Sequence, residues 1–291
     1  MADYSSKLKN YIALIDKALD GFLPSAEESA VTEAMRYSVE NGGKRIRPVL
    51  TLAFCELFSG DIHKALNFAC AVEMIHAYSL IHDDLPCMDD DDLRRGKPAC
   101  HIKYGEATAL LAGDALLTLA FETLLKSELN PKFAVEGGLL LSKAAGHFGM
   151  IGGQVMDMSN EGKTVSLERL VETDNKKTGA LISAACRLGC LAADADDRAF
   201  AAATVYADNI GLAFQIIDDI LDVTGSSQEL GKTAGSDLEN NKATYVSIGG
   251  LDNSKVKADE LLADAKASLL PFGESAGFLL WFADFLSERK S

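Results

Sequence analysis

Two short blocks of aspartate are the residues of this sequence whose type and spacing are best suited to chemistry. They are Asp83-Asp84-Leu-Pro-Cys-Met-Asp89-Asp90-Asp91-Asp92 and Asp218-Asp219-Ile-Leu-Asp222. Hard divalent cations take oxygen ligands, and Mg²⁺ in particular bridges one or two carboxylates to substrate phosphates. The two blocks together therefore predict a site at which several Mg²⁺ ions hold a diphosphate.

The first block directly follows the most apolar stretch of the chain, residues 64–82. A solvated run of charge is the usual explanation of an acidic cluster. A position at the end of an all-round apolar helix instead predicts carboxylates that face a cleft near the core. A Ca²⁺ loop of the EF-hand type is excluded, because Leu85 stands where an acid is required and Met88 where glycine is required.

The second block lies within the helical pattern of residues 198–224. Residues four apart share a helical face, so Asp218 and Asp222 present two carboxylates side by side, while Asp219 is turned away. Two like charges one turn apart destabilise a helix unless a cation lies between them. The apolar neighbours Ile217 and Leu221 argue against a merely solvated face.

Basic residues occur in short sets that are otherwise rare in so acidic a chain. The sets are Lys44, Arg45 and Arg47; Arg94 and Arg95; Lys176 and Lys177; and Lys232 and Lys242. Each set alone is more often surface than site, but Arg and Lys match phosphate oxygens, so the sets and the acidic blocks together indicate more than one polyanionic group. A nucleotide-binding P-loop ending in Gly231-Lys232-Thr233 is rejected, because Ser226 replaces its first glycine and a helix precedes it.

The composition predicts a soluble, cytoplasmic protein. A net charge of −15 argues against nucleic acid or anionic lipid as a partner. The six cysteines are scattered, and no charged-then-apolar signal segment opens the sequence, so we expect a reducing compartment and no disulfide framework. No uninterrupted apolar run reaches the roughly 18 residues of a membrane span, so none is expected.

The elements that must position these residues are predicted to be helices, since the chain is rich in Ala and Leu and has only six Pro. Apolar periodicity predicts helices over residues 1–23, 25–41, 48–58, 64–82, 105–128, 133–158, 166–191, 198–224, 255–269 and 274–288. No alternating strand pattern is present. The one long loop, residues 225–243, carries Lys232 and Lys242, and loops of this length are often functional.

In order along the chain, six motifs resemble the signatures of the trans-prenyltransferases. They are Gly42-Gly43-Lys44-Arg45-x-Arg47-Pro48, the block from Asp83 to Gly96, Gly153-Gln154-x-x-Asp157, Lys177-Thr178-Gly179, Phe214-Gln215-x-x-Asp218-Asp219-x-x-Asp222 and Gly231-Lys232-Thr233. The resemblance covers essentially the whole chain. It implies an all-α fold with a single domain over residues 1–291, about ten helices around a deep central cavity, and a homodimer. Ser236 and Val246 depart from the family pattern, but neither is assigned to chemistry.

The resemblance also implies roles for individual residues. Mg²⁺, about three ions per active site, would be held against an allylic diphosphate by Asp83, Asp84, Asp89, Asp218, Asp219 and Asp222. Isopentenyl diphosphate would be bound by Lys44, Arg47, His76 and Arg95, and the allylic diphosphate by Arg94, Lys177, Thr178, Gln215, Lys232 and Lys242. A direct part in catalysis is expected for Asp83, Asp84, Asp89, Lys177, Thr178, Gln215, Asp218 and Lys232. Without the family, His76 would be interpreted as a core histidine on an apolar helix.

Product length is assigned to Tyr78, five positions before Asp83 on the same helix. Its ring, about 7–8 Å below the metal site at 1.5 Å rise per residue, would stop a growing isoprenoid tail, whereas Ser79 is too small to do so. In the bacterial-type farnesyl synthases that this sequence resembles, an aromatic residue there, with Pro86-Cys87 inside the motif, goes with a C15 product, farnesyl diphosphate. Related geranylgeranyl synthases often have Met or a smaller residue there. The other interpretation is that Tyr78 is only a core residue whose hydroxyl forms a hydrogen bond with a neighbouring group.

Three other functions remain open at this point. A geranylgeranyl diphosphate synthase would use the same chemistry with one more condensation. A non-catalytic subunit of a prenyltransferase heteromer usually lacks one or both aspartate motifs, and here both are intact. A terpene cyclase fits less well, because the segment from Gly42 to Pro48 resembles a site for a second diphosphate, which a cyclase does not bind.

Overall fold

The computed structural model describes residues 3–225 and 243–288. These residues are predominantly helical, and the predicted all-α class is confirmed. They divide into two compact units. Unit 1 comprises residues 3–139 and 191–194, and unit 2 comprises residues 140–190, 195–225 and 243–288.

Unit 1 is built around one buried helix, α4. Its elements are α1 (Tyr4–Phe22), α2 (Ala30–Glu40), α3 (Ile46–Leu57), α4 (Leu66–Asp83), α5 (Cys100–Tyr104), α6 (Glu106–Leu125) and the start of α7 (Pro131–Ala145). Helices α1, α2, α3 and α6 all pack against α4. Eleven of its 18 residues are buried, and they lie on every side of the helix. The all-round apolar pattern of residues 64–82 therefore predicted its environment correctly.

Arg45 joins the start of α3 to this buried helix. It lies in the left-handed region, with φ of 50°, immediately before α3 begins. Its guanidinium donates to the carboxylate of Glu73, in the middle of α4, at 2.7 Å and to Asp16 at 2.9 Å. A third bond reaches the carbonyl of Val39 at 2.7 Å. All three nitrogens of the buried guanidinium thus donate hydrogen bonds within the protein, so the role of Arg45 is structural.

A small hairpin follows α4 in unit 1. Its two strands, β1 (Leu93–Arg94) and β2 (Lys97–Pro98), are antiparallel. The turn residues Arg95 and Gly96 both have positive φ, 55° and 74°, as a two-residue type I′ turn requires. The expectation of no strand was wrong here, because two-residue strands are too short to show an alternating pattern.

Unit 2 is organised around the longest helix, α11. Its elements are the end of α7, α8 (Met150–Asn160), α9 (Leu167–Asp174), a π-helix (Asn175–Gly179), α10 (Ala180–Ala192), α11 (Asp197–Thr224), α12 (Tyr245–Gly249), α13 (Leu251–Leu269), a 3₁₀ helix (Leu270–Ala276) and α14 (Gly277–Glu288). Helix α11 packs against α9, the π-helix, α12, α13 and α14. The three acids and the amide of the second motif are therefore all carried by the central element of this unit.

Some predicted helix bounds were wrong. The helix expected over 133–158 is two helices, α7 and α8, separated at residues 146–149, where two glycines lower the helix propensity. The helix expected over 166–191 is interrupted by the π-helix, and the short helices α5 and α12 were not expected. Most of the predicted loop, residues 226–242, lies outside the described residues.

Within the part of the chain that the structure describes, three helical stretches are long and apolar enough to cross a membrane if length and composition alone are considered. They are Glu106–Leu125, Asp197–Thr224 and Leu251–Glu288. The last of them is broken by the kink at Gly273. The expectation of no membrane span, which rested on uninterrupted apolar runs, stays a prediction.

The buried pair of Arg45 and Glu73 makes a prediction about stability. The Glu73→Ala substitution should lower the free energy of unfolding by about 3–5 kcal/mol, because the buried guanidinium of Arg45 then lacks its main counter-ion. The exposed pair of Lys126 and Glu122 provides the control, and Glu122→Ala should change the value by less than about 1 kcal/mol. Urea unfolding followed by circular dichroism measures both, and equal effects of the two variants would contradict the role given to Arg45.

Candidate active site

The first acidic block lies at the carboxyl end of α4, in unit 1. Asp83 is the last residue of the helix and Asp84 follows it. The chain then folds back, since the backbone N–H of Asp89 donates to the carbonyl of Asp83 at 2.8 Å. The exposed residues Pro86 and Cys87 lie in the intervening loop. This loop brings the third predicted carboxylate residue, Asp89, back beside the first.

Asp84 is held by an arginine from the hairpin. Its side chain is almost fully buried, and Arg94 donates from Nε at 2.9 Å and also from Nη2 to the same oxygen, Oδ1. Nη2 also contacts Asp91 at 3.2 Å. Burial raises the pKa of the Asp84 carboxyl, and the bond from Arg94 opposes that shift. Sequence reasoning assigned these two residues to different ligands and did not foresee that they pair with each other.

The residues assigned to isopentenyl diphosphate also lie in unit 1, and three of them share a positive field. Burial, followed by the nearby charges of Arg47 and Arg95, holds the pKa of His76 well below its usual range, so its imidazole is neutral. Arg95 donates from Nη1 to the carbonyl of Gly42, in the loop that carries the exposed Lys44. Two guanidinium groups whose charges both act on His76 suit a polyanionic ligand.

Tyr78 is buried on α4 with only 5% of its surface exposed. Its hydroxyl has no hydrogen-bond partner among the described residues. Burial, and secondarily the charge of Asp83, raise the pKa of Tyr78 to about 12, so the phenol stays neutral. Ser79 instead donates to the carbonyl of His76 at 2.9 Å. The interpretation of Tyr78 as a core tyrosine with a satisfied hydroxyl is therefore not what the described residues show.

In unit 2, the π-helix presents Lys177 and Thr178. A π-helical turn is rare and is frequent at functional sites. Lys177 Nζ forms an ion pair with Asp157 Oδ2 at 2.6 Å, and Thr178 is buried. A Cβ added at Gly153 would lie 2.2 Å from the backbone nitrogen of Lys177, so only glycine lets α8 approach the π-helix this closely.

The second acidic block is also in unit 2, in the last turns of α11. Asp218 and Asp219 are half-buried, as is Gln215, while only 2% of Asp222 is exposed. Asp219 Oδ2 accepts a bond at 2.7 Å from the backbone N–H of Tyr245, at the start of α12. The Asp219 carboxylate thus lies against the start of α12.

Sequence reasoning missed several residues of these two sites. Asp157 was quoted within a motif but was not given a role as the partner of Lys177. Both amide atoms of Gln154 are buried and lack a partner among the described residues, a property that the Gly-Gln spacing alone does not show. His82 of α4 donates from Nε2 to the carbonyl of Leu110 in α6 at 3.0 Å. Lys232 and Lys242 lie outside the described residues.

The carboxylates of each unit offer oxygen donors only, which is the chemistry that Mg²⁺ prefers. Within residues 3–225 and 243–288, no group of three or more His, Cys, Asp or Glu side chains converges as a ready-made metal cage. Mg²⁺ does not need such a cage, because it keeps several waters and takes further ligands from substrate phosphates. The donor set therefore fits Mg²⁺ bound together with a phosphate ligand.

The chain is similar over most of its length to proteins of one known family. A model of the polyprenyl synthetase family matches residues 28–268. The heterodimeric geranylgeranyl pyrophosphate synthase large subunit 1 of Arabidopsis thaliana, a chloroplastic protein, is 46% identical over 99% of this chain and 80% of its own length. The farnesyl diphosphate synthase of Escherichia coli is 44% identical over 99% of each chain.

A solved structure extends the similarity to the fold. The geranylgeranyl pyrophosphate synthetase of Pyrococcus horikoshii superposes with a TM-score of 0.91 at 31% identity, covering 99% of this chain and 98% of that one. The family match spans well over half of the chain, and the relatives match nearly all of it. This chain belongs to the polyprenyl synthetase family, the trans-prenyltransferases.

Proposed function

We propose that this prenyltransferase joins isopentenyl diphosphate head to tail with dimethylallyl and then geranyl diphosphate, and that it stops at farnesyl diphosphate. The observation that carries the C15 assignment is the buried ring of Tyr78, on the same helix as Asp83 and five positions before it. The proposal takes Asp83, Asp84 and Asp89 in unit 1, with Asp218, Asp219 and Asp222 in unit 2, as the residues that hold Mg²⁺. Bound there, Mg²⁺ would neutralise the negative charge of the diphosphate leaving group.

The cationic residues of unit 1 would bind and orient isopentenyl diphosphate. Lys44, Arg47 and Arg95 would contact its phosphate oxygens, and the neutral imidazole of His76 would donate a hydrogen bond. In unit 2, Lys177 would exchange its bond with Asp157 for an oxygen of the allylic diphosphate. Arg94, Thr178, Gln215, Lys232 and Lys242 complete the proposed allylic set.

The reaction needs no nucleophilic side chain. The C–O bond of the allylic diphosphate breaks, and its electron pair leaves with diphosphate. The double bond of isopentenyl diphosphate then forms the new C–C bond to the allylic cation, and the resulting cation loses a proton to the departed diphosphate. Lys and Arg contribute by stabilising the charge that develops on diphosphate, and apolar walls exclude the water that would quench the cation.

A C20 product is the second candidate, because relatives that match almost the whole chain carry the names of geranylgeranyl synthases. One of these relatives is named as the large subunit of a heterodimeric synthase. We propose a homodimer for this chain, and a heteromeric assembly is the alternative. Exposed apolar side chains of unit 1, Leu110, Leu111, Val135 and Leu139, are available for subunit contact. Sedimentation velocity of the purified chain would distinguish a homodimer from a monomer that awaits a partner.

Three further expectations stay predictions. The unbroken family match over residues 28–268 supports a single synthase domain, and the deep central cavity follows from the same family expectation. A cytoplasmic location is proposed from the composition, although relatives of similar identity are named as chloroplastic.

The carboxylates provide the first test of the function. Asp83→Ala and Asp218→Ala should each lower kcat by about 10²-fold or more, since each removes a proposed metal ligand and several kcal/mol of transition-state stabilisation. The matched control is Asp92→Ala, an exposed acid of the same block that has no assigned role. Near-normal turnover of either variant in Mg²⁺ buffer, or full activity of the parent in EDTA, would exclude the metal assignment.

The division between the two substrates is tested by KM. Lys44→Ala should raise KM for isopentenyl diphosphate about tenfold and change KM for the allylic substrate little, because one phosphate contact is lost on one side only. Lys177→Ala should show the reverse pattern. Steady-state kinetics with each substrate varied in turn measures the effects, and similar changes of both KM values in both variants would refute the division.

Product length is tested at Tyr78. Tyr78→Ala should shift the main product from C15 to C20 or longer, because removing the buried ring opens space for one more isoprene unit. Tyr104→Ala, a change of the same kind near the surface of unit 1, should leave the product unchanged. Chromatography of the dephosphorylated products decides the matter. A folded Tyr78→Ala variant that still stops at C15 would show that product length is set elsewhere.

A further inference from the structure

His82 lies one helical turn after Tyr78 on α4, and the two side chains contact each other. Their ring centroids are 5.6 Å apart at an interplanar angle of 76°, an edge-to-face arrangement. The imidazole also contacts α6, where its Nε2 donates to the carbonyl of Leu110 at 3.0 Å. His82 therefore connects the ring of Tyr78 to a neighbouring helix.

The place of the imidazole on α6 depends on Gly113. A Cβ added at Gly113 would lie 2.1 Å from His82 Nε2 and 2.5 Å from Cδ2, far inside van der Waals contact. Glycine within a helix is destabilising relative to alanine, so a packing reason for it is expected. Here the reason is that only glycine leaves room for His82 to reach Leu110.

The orientation of Tyr78 depends on packing and not on a hydrogen bond. Its hydroxyl has no partner among the described residues, although the ring is buried. A ring without a polar anchor keeps its rotamer only if its neighbours exclude the other rotamers. Among the described residues of unit 1, His82 is the aromatic neighbour of the Tyr78 ring.

We propose that His82, packed against Gly113, is a positioning residue. It holds the Tyr78 ring across the path of the growing isoprenoid and so restricts product length. This inference rests on the function proposed above for Tyr78. Without the imidazole, the tyrosine ring gains room to turn toward α6, and the path beneath the carboxylates opens while Tyr78 itself is still present. His82 touches neither substrate nor reacting atoms in this scheme and acts only through Tyr78.

The test is the ratio of C20 to C15 product made from dimethylallyl and isopentenyl diphosphates, measured at equal conversion. His82→Ala and Gly113→Ala should each raise this ratio about fivefold or more. Gly138→Ala is the matched control, because a Cβ there meets nothing closer than Leu124 at 3.8 Å, and it should leave the ratio unchanged. His82→Gln, which can still donate to Leu110, should give a ratio closer to that of the parent than His82→Ala does.

A double variant separates action through Tyr78 from other effects. If His82 acts through the tyrosine ring, His82→Ala should add nothing to the product shift of Tyr78→Ala. Lower total turnover with an unchanged ratio in His82→Ala would mean that the histidine supports Asp83 instead, and would overturn the proposal. If Gly113→Ala fails to fold, as judged by circular dichroism, the two His82 variants decide the question.

The outcomes also distinguish this inference from the function on which it rests. Longer products from Tyr78→Ala, with parental ratios from His82→Ala and Gly113→Ala, would overturn the role of His82 and leave the role of Tyr78 intact. A Tyr78→Ala variant that still makes C15 would instead remove the proposed function of Tyr78, and the role of His82 with it.

Discussion

The desolvation of α4 is the constraint on which the rest of unit 1 depends. A helix packed on every side can carry charge only where a counter-ion is supplied, and α4 and its end carry two buried carboxylates, Glu73 and Asp84. Arg45 neutralises the first and Arg94 the second. The glycine-rich loop before α3 and the hairpin after α4 can each be understood as the means of delivering one of these guanidinium groups.

The polarity of α4 adds to this electrostatic demand. The carboxyl end of a helix has a partial negative charge, so it disfavours acids and favours cations. Asp83 and Asp84 lie at that end, where they would be least stable without positive charge nearby. The position that makes these acids unfavourable in isolation also makes them suited to binding cations, together with the phosphate groups that such cations coordinate.

Sequence reasoning predicted the class of the long elements well, although two of the long predicted helices, over residues 133–158 and 166–191, are interrupted. The burial of α4, the shared face of Asp218 and Asp222, and the all-α class followed from apolar spacing and from residue types. Short elements escaped it, because the hairpin around Arg95 and the helix Tyr245–Gly249 are too brief to show a period. Pairings escaped it for a different reason: that Arg94 binds Asp84, or Lys177 binds Asp157, depends on where the chain turns, and spacing along the sequence does not contain that information.

The ion pair between Arg94 and Asp84 has a consequence for how the protein is made. Small metal-binding domains that gather uncompensated ligands complete their fold only when the ion arrives, so their yield follows the supply of that ion. For Asp84, unit 1 supplies the positive charge from Arg94 of the same chain. The fold around this carboxylate therefore does not have to wait for a metal ion to neutralise it.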